Sequence, residues 1–367
     1  MSERQVHDLL AAATGEAPPG IAVVAADGGN SKTDVALIRA DGAVIGVARG
    51  ASTSHQAVGA RAAARTLVAL VESAAVEGGW GGATHAAVLV HCVAGADLPS
   101  DDRLIERVLR PLGLADRTIV RNDAFAGLRA GAESGWGVSV VCGAGLNCVG
   151  LGPTGRTVRY PALGEISGDW GGGLGVGTAA LAAAVRGRDR RGPRTTLETL
   201  VPDWFGLSRP LVVVGAIHRG RISEARLGEL SPVVFEAAGA GDAVARAIVD
   251  RVADEVVLIA VSAIRRLGLA RQPVEVILAG GLFRTADARF HDRIGRGIHA
   301  AAPRAIVRRL AAPPVLGAAL IGLDTVDATS AAKERTRAGL TVERLERAAA
   351  ARRPTGAGSA DQPTEGR

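Results

Sequence analysis

The sequence predicts an α/β protein with a two-lobed, duplicated fold and a cleft between its lobes. Three observations lead to this prediction. Residues 21–38 read as an apolar strand, a glycine turn and a second apolar strand, and residues 137–152 repeat this pattern about 115 positions later. Stretches with strand and helix periodicity alternate after each copy. A repeated glycine loop between strand pairs indicates internal duplication, and binding pockets commonly form where two such lobes meet.

The first half of the chain has the order β-β-β-α-β-α-β. Strands are predicted at about 21–26, 34–39, 43–49, 86–93 and 117–120, and helices at about 56–78 and 101–112. Ser100, Asp101 and Asp102 suit the start of the second helix, because their side chains accept hydrogen bonds from free backbone N–H groups.

The second half begins with two strands and continues mainly as helices. Strands are predicted at 137–142, 147–152 and 274–278, and helices at about 173–186, 194–201 and 314–323, with more between about 209 and 268. Residues 242–267 carry apolar side chains at helical spacing over about seven turns, so a core helix is expected there.

These elements divide the chain into five segments. They are an N-terminal extension (1–20), an N-terminal lobe with the first glycine loop (21–122), a C-terminal lobe (123–313), a helix that returns to the first lobe (314–330), and a short helix with a disordered tail (331–367). The tail is expected to be disordered because residues 354–367 are rich in glycine, proline, serine and charged residues.

Composition excludes several classes of protein. Apolar residues make up 47% of the chain and charged residues 22%, which is typical of a soluble globular protein. The net charge is +6, but the arginines are scattered rather than gathered with aromatic residues, so no nucleic-acid partner is expected. Because no apolar run reaches membrane-spanning length and residues 1–20 do not resemble a signal peptide, no membrane partner and a cytoplasmic location are expected.

The first glycine turn has the chemistry of a phosphate-binding loop. Asp27 leaves the first strand directly into the loop, and it can hold Mg²⁺ through water. Glycines let backbone N–H groups approach an anion, and hydroxyl and ammonium groups donate to it. The loop residues are Gly28, Gly29, Asn30, Ser31, Lys32 and Thr33. An ordinary hairpin whose Asp and Asn make the turn remains an alternative.

Asp123 is the candidate general base. It follows Asn122 at the end of a predicted strand, just where a helix begins. A carboxylate at a strand end that faces a cleft can accept a proton from a substrate hydroxyl. The alternative is that Asp123 only caps the helix at 124–132.

Six motifs in order resemble the N-acetylglucosamine kinase/BadF-type ATPase family of the hexokinase–actin superfamily. They are residues 27–33, 94–97, 122–124, 143–147, 164–173 and 279–281, and the resemblance covers about 21–325. It implies a hexokinase–actin-like (ribonuclease H-like) fold and the use of ATP and Mg²⁺. The run Ser-Gly-Asp-Trp-Gly-Gly-Gly is most similar to bacterial glucosamine kinases.

The resemblance implies a role for individual residues. Asp27 would orient Mg²⁺, residues 28–33 would bind the β- and γ-phosphates, and Asp123 would be the base on the sugar 6-hydroxyl. The second phosphate loop would be Gly143, Ala144 and Gly145, and Gly280 and Gly281 would lie against adenosine. The sugar would contact Ser54, His55, Asn122, Asp123, Glu165, Gly168 and Asp169.

Two departures from the family pattern affect these roles. Ala144 and Leu146 stand where the second phosphate loop usually has hydroxyl residues, and Ser54 replaces the usual Asn of the sugar loop at 52–55. Recognition of the sugar 2-substituent is therefore expected to differ.

Glu165 and Asp169 bear on the identity of the sugar. A free 2-amino group, partly ammonium near neutral pH, is best bound by a carboxylate, whereas an acetamide is neutral. Two carboxylates in one loop thus favour glucosamine, phosphorylated to glucosamine 6-phosphate, over the alternative N-acetylglucosamine. Asp169 could instead cap the helix near 173.

Two other functions fit the sequence less well than an amino-sugar kinase. An ATPase activator of a radical dehydratase needs cysteines for an iron–sulfur cluster, but Cys142 and Cys148 lie in the phosphate-loop strands, which leaves only Cys92. A non-catalytic sugar sensor would carry a DNA-binding module in front, and about twenty residues are too few for it. The sequence leaves open whether the protein forms a homodimer.

Overall fold

The computed structural model describes residues 20–351, which form two compact units. Of the described residues, 20–93, 105–119 and 319–351 form unit 1, and 94–104 and 120–318 form unit 2. The boundaries differ from the predicted lobes mainly at 94–104, which belongs to unit 2. The predictions for 1–19 and 352–367 lie outside the described residues.

The first sheet has five strands in the order β3-β2-β1-β4-β5. Its strands are β1 (Ile21–Gly28), β2 (Thr33–Arg39), β3 (Val44–Gly50), β4 (Ala86–Val93) and β5 (Ala115–Asn122). β1 pairs antiparallel with β2 and parallel with β4. β1 is buried along nearly its whole length, as its unbroken apolar sequence predicts.

The second sheet has the order β10-β9-β6-β7-β8. Its strands are β6 (Gly137–Cys142), β7 (Leu146–Leu151), β8 (Thr157–Arg159), β9 (Glu275–Ala279) and β10 (Ile306–Arg309). Read from β8, this order matches that of the first sheet, with two antiparallel pairs followed by a parallel one. The matching order supports the predicted internal duplication.

Thirteen α-helices lie among the described residues. They are α1 (His55–Val58), α2 (Ala60–Glu77), α3 (Pro99–Leu109), α4 (Asp123–Gly131), α5 (Gly172–Arg188), α6 (Leu197–Trp204), α7 (Pro210–His218), α8 (Ser231–Gly239), α9 (Ala243–Leu267), α10 (Ala288–Ala301), α11 (Val315–Thr325), α12 (Ser330–Gly339) and α13 (Val342–Ala351). The predicted helix at 56–78 is two helices, because Gly59 at φ 80° interrupts it. The single short helix predicted after 331 is likewise two.

The core of unit 2 is organised by α9. Its 25 residues bury an apolar stripe that includes Ile248, Val252 and Val256, which confirms the predicted core helix. Asp242 caps it, since its Oδ1 accepts hydrogen bonds from the backbone N–H groups of Val244 and Ala245, each at 2.9 Å. Among residues 20–351, no helix has the length and apolar character needed to cross a bilayer.

Candidate functional site

The first glycine loop is the tip of a hairpin. Gly28 ends β1 and pairs with Thr33, which begins β2. Within the tip, the Gly29 N–H donates to the Lys32 carbonyl at 2.8 Å. Residues 30–32 are exposed, whereas Thr33 is fully buried. The exposed backbone, hydroxyl and ammonium groups of the tip are therefore those available to an anion.

Residues 52–54 are joined to this loop by hydrogen bonds. Ser52 Oγ donates to the Gly29 carbonyl at 2.8 Å, and Thr53 Oγ1 lies 3.0 Å from Thr33 Oγ1. Ser54, expected to contact the sugar, is fully buried, and its neighbour His55 is partly exposed. Sugar binding by Ser54 and His55 stays a prediction.

Asp27 lies in a row of charged residues across three strands. It is opposite Asp34 on β2, which is opposite Arg49 on β3. Arg49 binds the buried Asp34 carboxylate through two hydrogen bonds of 2.6 and 2.9 Å. These bonds, with smaller contributions from Glu346 and Asp27, raise the pKa of Arg49 above its usual value. The cationic Arg49 thus offsets the charge of two neighbouring carboxylates.

The partly exposed Asp27 carboxylate at the end of β1 fits a cation that arrives on a phosphate chain. Mg²⁺ typically binds proteins through one or two carboxylates together with substrate phosphates and water. Across the part of the chain that the structure describes, no group of three or more His, Cys, Asp or Glu could hold a metal by itself. A role for Asp27 toward Mg²⁺ stays a prediction.

Asn122, not Asp123, caps α4. The Asn122 Oδ1 accepts a 3.0 Å hydrogen bond from the Ala124 N–H. Its Nδ2 donates to Asp97 at 2.8 Å, and Asn147 Nδ2 donates to its Oδ1 at 3.0 Å. Asn122 is therefore the N-cap, and Asp123 is the first residue of α4. Because Asn122 is 2% exposed and occupied by these contacts, it holds the residue that follows; its predicted contact with a sugar hydroxyl stays a prediction.

The surroundings of the Asp123 carboxylate bear on its role as a general base, which stays a prediction. It lies at the first position of α4 and forms no ion pair with the described residues. Desolvation raises its pKa to about 6, although hydrogen bonds from the backbone lower it in part. A carboxylate with a pKa near the working pH is ionised yet more basic than an ordinary Asp.

Three glycine segments meet at one edge of the second sheet. β6 and β9 are parallel, so the loops that follow them, 143–145 and 280–281, lie at the same edge. A Cβ on Gly280 would lie 2.4 Å from the Cys142 carbonyl oxygen, and one on Gly172 would lie 2.4 Å from Gly145 Cα. Only glycine permits this packing, and it exposes backbone groups rather than side chains.

The start of α5 fixes the second glycine loop. The Gly173 N–H donates to the Gly143 carbonyl at 2.7 Å, and the Leu174 N–H donates to the Ala144 carbonyl at 3.0 Å. Leu146, one of the two departures from the family pattern, is buried in the core of unit 2. The loop is therefore held by its backbone, without the hydroxyl groups that the family pattern usually has there.

The segment 164–169 presents one free carboxylate. Glu165 is exposed in a short 3-10 turn, and its side chain has no hydrogen bond or ion pair to the residues described. Asp169 accepts a 2.5 Å hydrogen bond from Ser167 Oγ. α5 has Gly171 at its N-cap and no side-chain cap, so Asp169 does not cap it. Gly168 closes the turn at φ 81°, a conformation that favours glycine.

Three residues of these networks were not predicted to take part in the site. Asp97 and Asn147 stood in quoted motifs without a role, and both hydrogen-bond Asn122. No role was predicted for His91, yet its Nε2 lies 3.0 Å from Thr53 Oγ1. The polar residues in the motifs were a signal for the first two. Nothing local linked His91 to a residue 38 positions away.

The cysteines do not suit an iron–sulfur cluster. Cys92, Cys142 and Cys148 are all fully buried. Desolvation raises the pKa of Cys142 to about 12 and also raises that of Cys148. Because cluster ligands are thiolates, buried thiols with raised pKa values give no support to an activator of a radical dehydratase.

Comparisons with known proteins agree with this architecture. A model of the BadF/BadG/BcrA/BcrD ATPase family matches residues 25–322. The N-acetylmuramic acid/N-acetylglucosamine kinase of Clostridium acetobutylicum is 30% identical over 234 residues, which are 64% of this chain and 76% of that protein. The N-acetyl-D-glucosamine kinase of Dictyostelium discoideum is 26% identical over 237 residues, 64% of this chain and 74% of that protein.

Solved structures confirm the predicted hexokinase–actin-like fold. A candidate N-acetylglucosamine kinase from Chromobacterium violaceum has a TM-score of 0.66 at 22% identity, covering 83% of this chain and 100% of that one. The ROK hexokinase of Thermus thermophilus has a TM-score of 0.50 at 19% identity, covering 84% and 99%. At these identities the likeness concerns the fold alone.

Proposed function

Because the chain belongs to the BadF/BadG/BcrA/BcrD ATPase family, we propose that it is a sugar kinase that transfers the γ-phosphoryl group of ATP to the 6-hydroxyl of an amino sugar. The two curated relatives named above are kinases of such sugars. The observation that carries the proposal is Asp123, a carboxylate with a pKa raised to about 6 and held in place by a capped helix.

In this proposal Asp123 accepts the proton of the attacking hydroxyl. Its raised pKa makes it a stronger base than an ordinary aspartate, while it remains ionised near neutral pH. Asn122, held by Asp97 and Asn147, fixes the end of β5 and the start of α4. Phosphoryl transfer needs little covalent help from a protein, so this positioning and the charges around the phosphates supply most of the catalysis.

Each glycine loop offers groups that would bind phosphate. The N–H groups of the exposed residues 30–32, the Ser31 hydroxyl and the Lys32 ammonium would bind the β- and γ-phosphates, and the loop 143–145 would offer backbone donors of its own. Gly280 and Gly281 would let adenosine lie against the backbone. Mg²⁺, held near Asp27, would neutralise charge on the phosphate oxygens.

Two acceptors fit the amino-sugar class. The free Glu165 carboxylate favours glucosamine, since an ammonium group would offset its charge. The names of the relatives from Clostridium acetobutylicum and Dictyostelium discoideum favour N-acetylglucosamine. Glucosamine and N-acetylglucosamine differ only in the substituent on C2 of the sugar, and the proposed phosphoryl transfer is the same for both.

The test is a coupled assay of ADP release with glucosamine, N-acetylglucosamine, glucose and mannosamine, each with MgATP. We expect turnover with one of the first two sugars, and a phosphate on C6 of the product by NMR. Sugar binding without ADP release would instead indicate a sensor. ADP release without any phosphorylated sugar would contradict the kinase proposal.

A further inference from the structure

Three hydrogen-bonded side chains lie beneath the first glycine loop. Thr53 Oγ1 is 3.0 Å from Thr33 Oγ1 and 3.0 Å from His91 Nε2. Thr33, Thr53 and His91 are 0%, 1% and 2% exposed. Because breaking such a buried chain leaves polar groups without partners, the chain favours one arrangement of the backbone around it.

The Thr53 hydroxyl contacts both ends of the loop. It is hydrogen-bonded to Thr33, where β2 begins. On the other side, a Cβ at Gly28, where β1 ends, would lie 2.3 Å from Thr53 Oγ1 and 3.1 Å from His91 Nε2. One hydroxyl group therefore holds the start and the end of the exposed tip at 29–32.

His91 determines the direction of this chain. Its Nδ1 is buried and has no hydrogen-bond partner among residues 20–351. Apart from Thr53 and His55, the residues that line the cavity of about 10 Å³ beside it are apolar. A buried N–H without an acceptor is rarer and costlier than a bare lone pair. We therefore assign the proton to Nε2, which donates to Thr53, so that Thr53 donates to Thr33.

Burial also keeps this direction constant. It lowers the pKa of His91 to about 4, so the imidazole is neutral at physiological pH. A second proton would create a buried N–H with no acceptor. The three hydrogen-bonded side chains therefore keep one arrangement over the pH range in which the loop would bind an anion.

We propose that His91 is a positioning residue which, through Thr53, holds the first glycine loop in the conformation that binds the nucleotide phosphates. This inference rests on the proposed function. Backbone donors bind an anion best when they are arranged before it arrives, because no energy is then spent on ordering the loop. His91 and Thr53 act through the loop and do not touch the nucleotide.

The experiment compares Thr53→Val, which removes the hydroxyl, with Thr53→Ser, which keeps it. Affinities for a non-hydrolysable ATP analogue with Mg²⁺ and for adenosine are measured by calorimetry. We expect Thr53→Val to weaken binding of the analogue about tenfold, the size of one lost hydrogen bond, and to leave adenosine binding unchanged. KM for ATP should rise in parallel. Thr53→Ser and His91→Gln should retain most of the affinity of the unmodified protein for the ATP analogue. His91→Leu should lose affinity as Thr53→Val does.

Unchanged affinity for the analogue in folded Thr53→Val would overturn the proposal, and so would an equal loss for adenosine and the analogue, which would indicate general damage. If His91→Leu does not fold, the comparison of Thr53→Val with Thr53→Ser still tests the proposal. Failure of the proposed function gives a different result, since the unmodified protein would then bind no ATP analogue or phosphorylate no sugar.

Discussion

Arg49 forms a bidentate ion pair with Asp34, with Nε–Oδ1 and Nη2–Oδ2 distances of 2.6 and 2.9 Å. The side chain of Asp34 is 2% exposed and that of Arg49 is 17% exposed. A carboxylate buried this deeply depends on its partner, because removing one member leaves an uncompensated charge.

We therefore expect Arg49→Gln to lower the free energy of unfolding by about 3–5 kcal/mol. Urea unfolding measures this loss. Arg335→Gln is the matched control, because Arg335 pairs with Asp41 where both side chains are about half exposed, and exposed pairs contribute about 0–1 kcal/mol. Adding Asp34→Asn to Arg49→Gln should recover part of the loss. Equal effects of the two arginine changes would contradict this interpretation.

Asp123→Asn should lower kcat at least about 100-fold while ATP binding is retained, since a general base contributes about 10²–10⁴. In the unmodified enzyme, kcat/KM should fall as the pH drops through about 6, because protonation removes the base. The residual rate of the variant should lack this dependence. Asp203→Asn, at an exposed carboxylate of unit 2, is the control. Near-normal turnover of Asp123→Asn would remove Asp123 from the mechanism.

The same substitution should stabilise the fold. The pKa of Asp123 is about 6 in the folded protein and 3.8 for an ordinary Asp, so the folded state binds more protons between these values. Stability from this group is therefore present at low pH and is lost as pH rises through 4–6. Above pH 6, Asp123→Asn should raise Tm by an amount equivalent to about 1–3 kcal/mol of unfolding free energy. Near pH 4 the substitution should change Tm little. Calorimetry across this pH range checks the sign.

Gly172→Ala should disrupt the second glycine loop. The new Cβ would lie 2.4 Å from Gly145 Cα, and its φ of +67° adds strain. Gly206→Ala is the control, because Gly206 has a φ of +64° with no atom within 4 Å of the added Cβ. The positive φ should cost each alanine variant about 1 kcal/mol of unfolding free energy. Only Gly172→Ala should also raise KM for ATP. A normal KM in that variant would place the loop outside the nucleotide site.

Glu165→Gln tests the contact with the sugar amine. If Glu165 faces an ammonium group, the variant should lose about tenfold or more in kcat/KM for glucosamine, because a charged hydrogen bond contributes about 1.5–3 kcal/mol. Its activity on glucose should change little. Glu224→Gln, at another exposed glutamate in a 3-10 turn, serves for comparison. Unchanged preference among the sugars would favour N-acetylglucosamine.

The long elements and glycine loops could be predicted from the sequence because their signals are local. Apolar residues at helical spacing predicted α9, and glycines between apolar runs predicted both loops. β8 and β10 were missed, since they have three and four residues and carry arginines, so their pairing comes from the neighbouring strand.

The contacts that position the site residues could not be predicted in the same way. Asn and Asp are about equally good N-caps, so the sequence could not tell whether Asn122 or Asp123 caps α4. The extended backbone of Asn122 and the hydrogen bond that its Oδ1 accepts from the Ala124 N–H identify it as the cap. The bond between Thr53 and His91 joins β4 to a segment 38 residues earlier, and no periodicity reports such a pair.

The absence of a side chain at Gly28 also restricts how the protein can change over time. The space of its missing Cβ is taken by Thr53 Oγ1, 25 positions further along the chain. Mutational histories at the two positions should therefore be linked: a homologue with alanine in place of Gly28 is expected to have a smaller residue in place of Thr53. Paired substitution at these positions would mark lineages in which the loop acquired a different support.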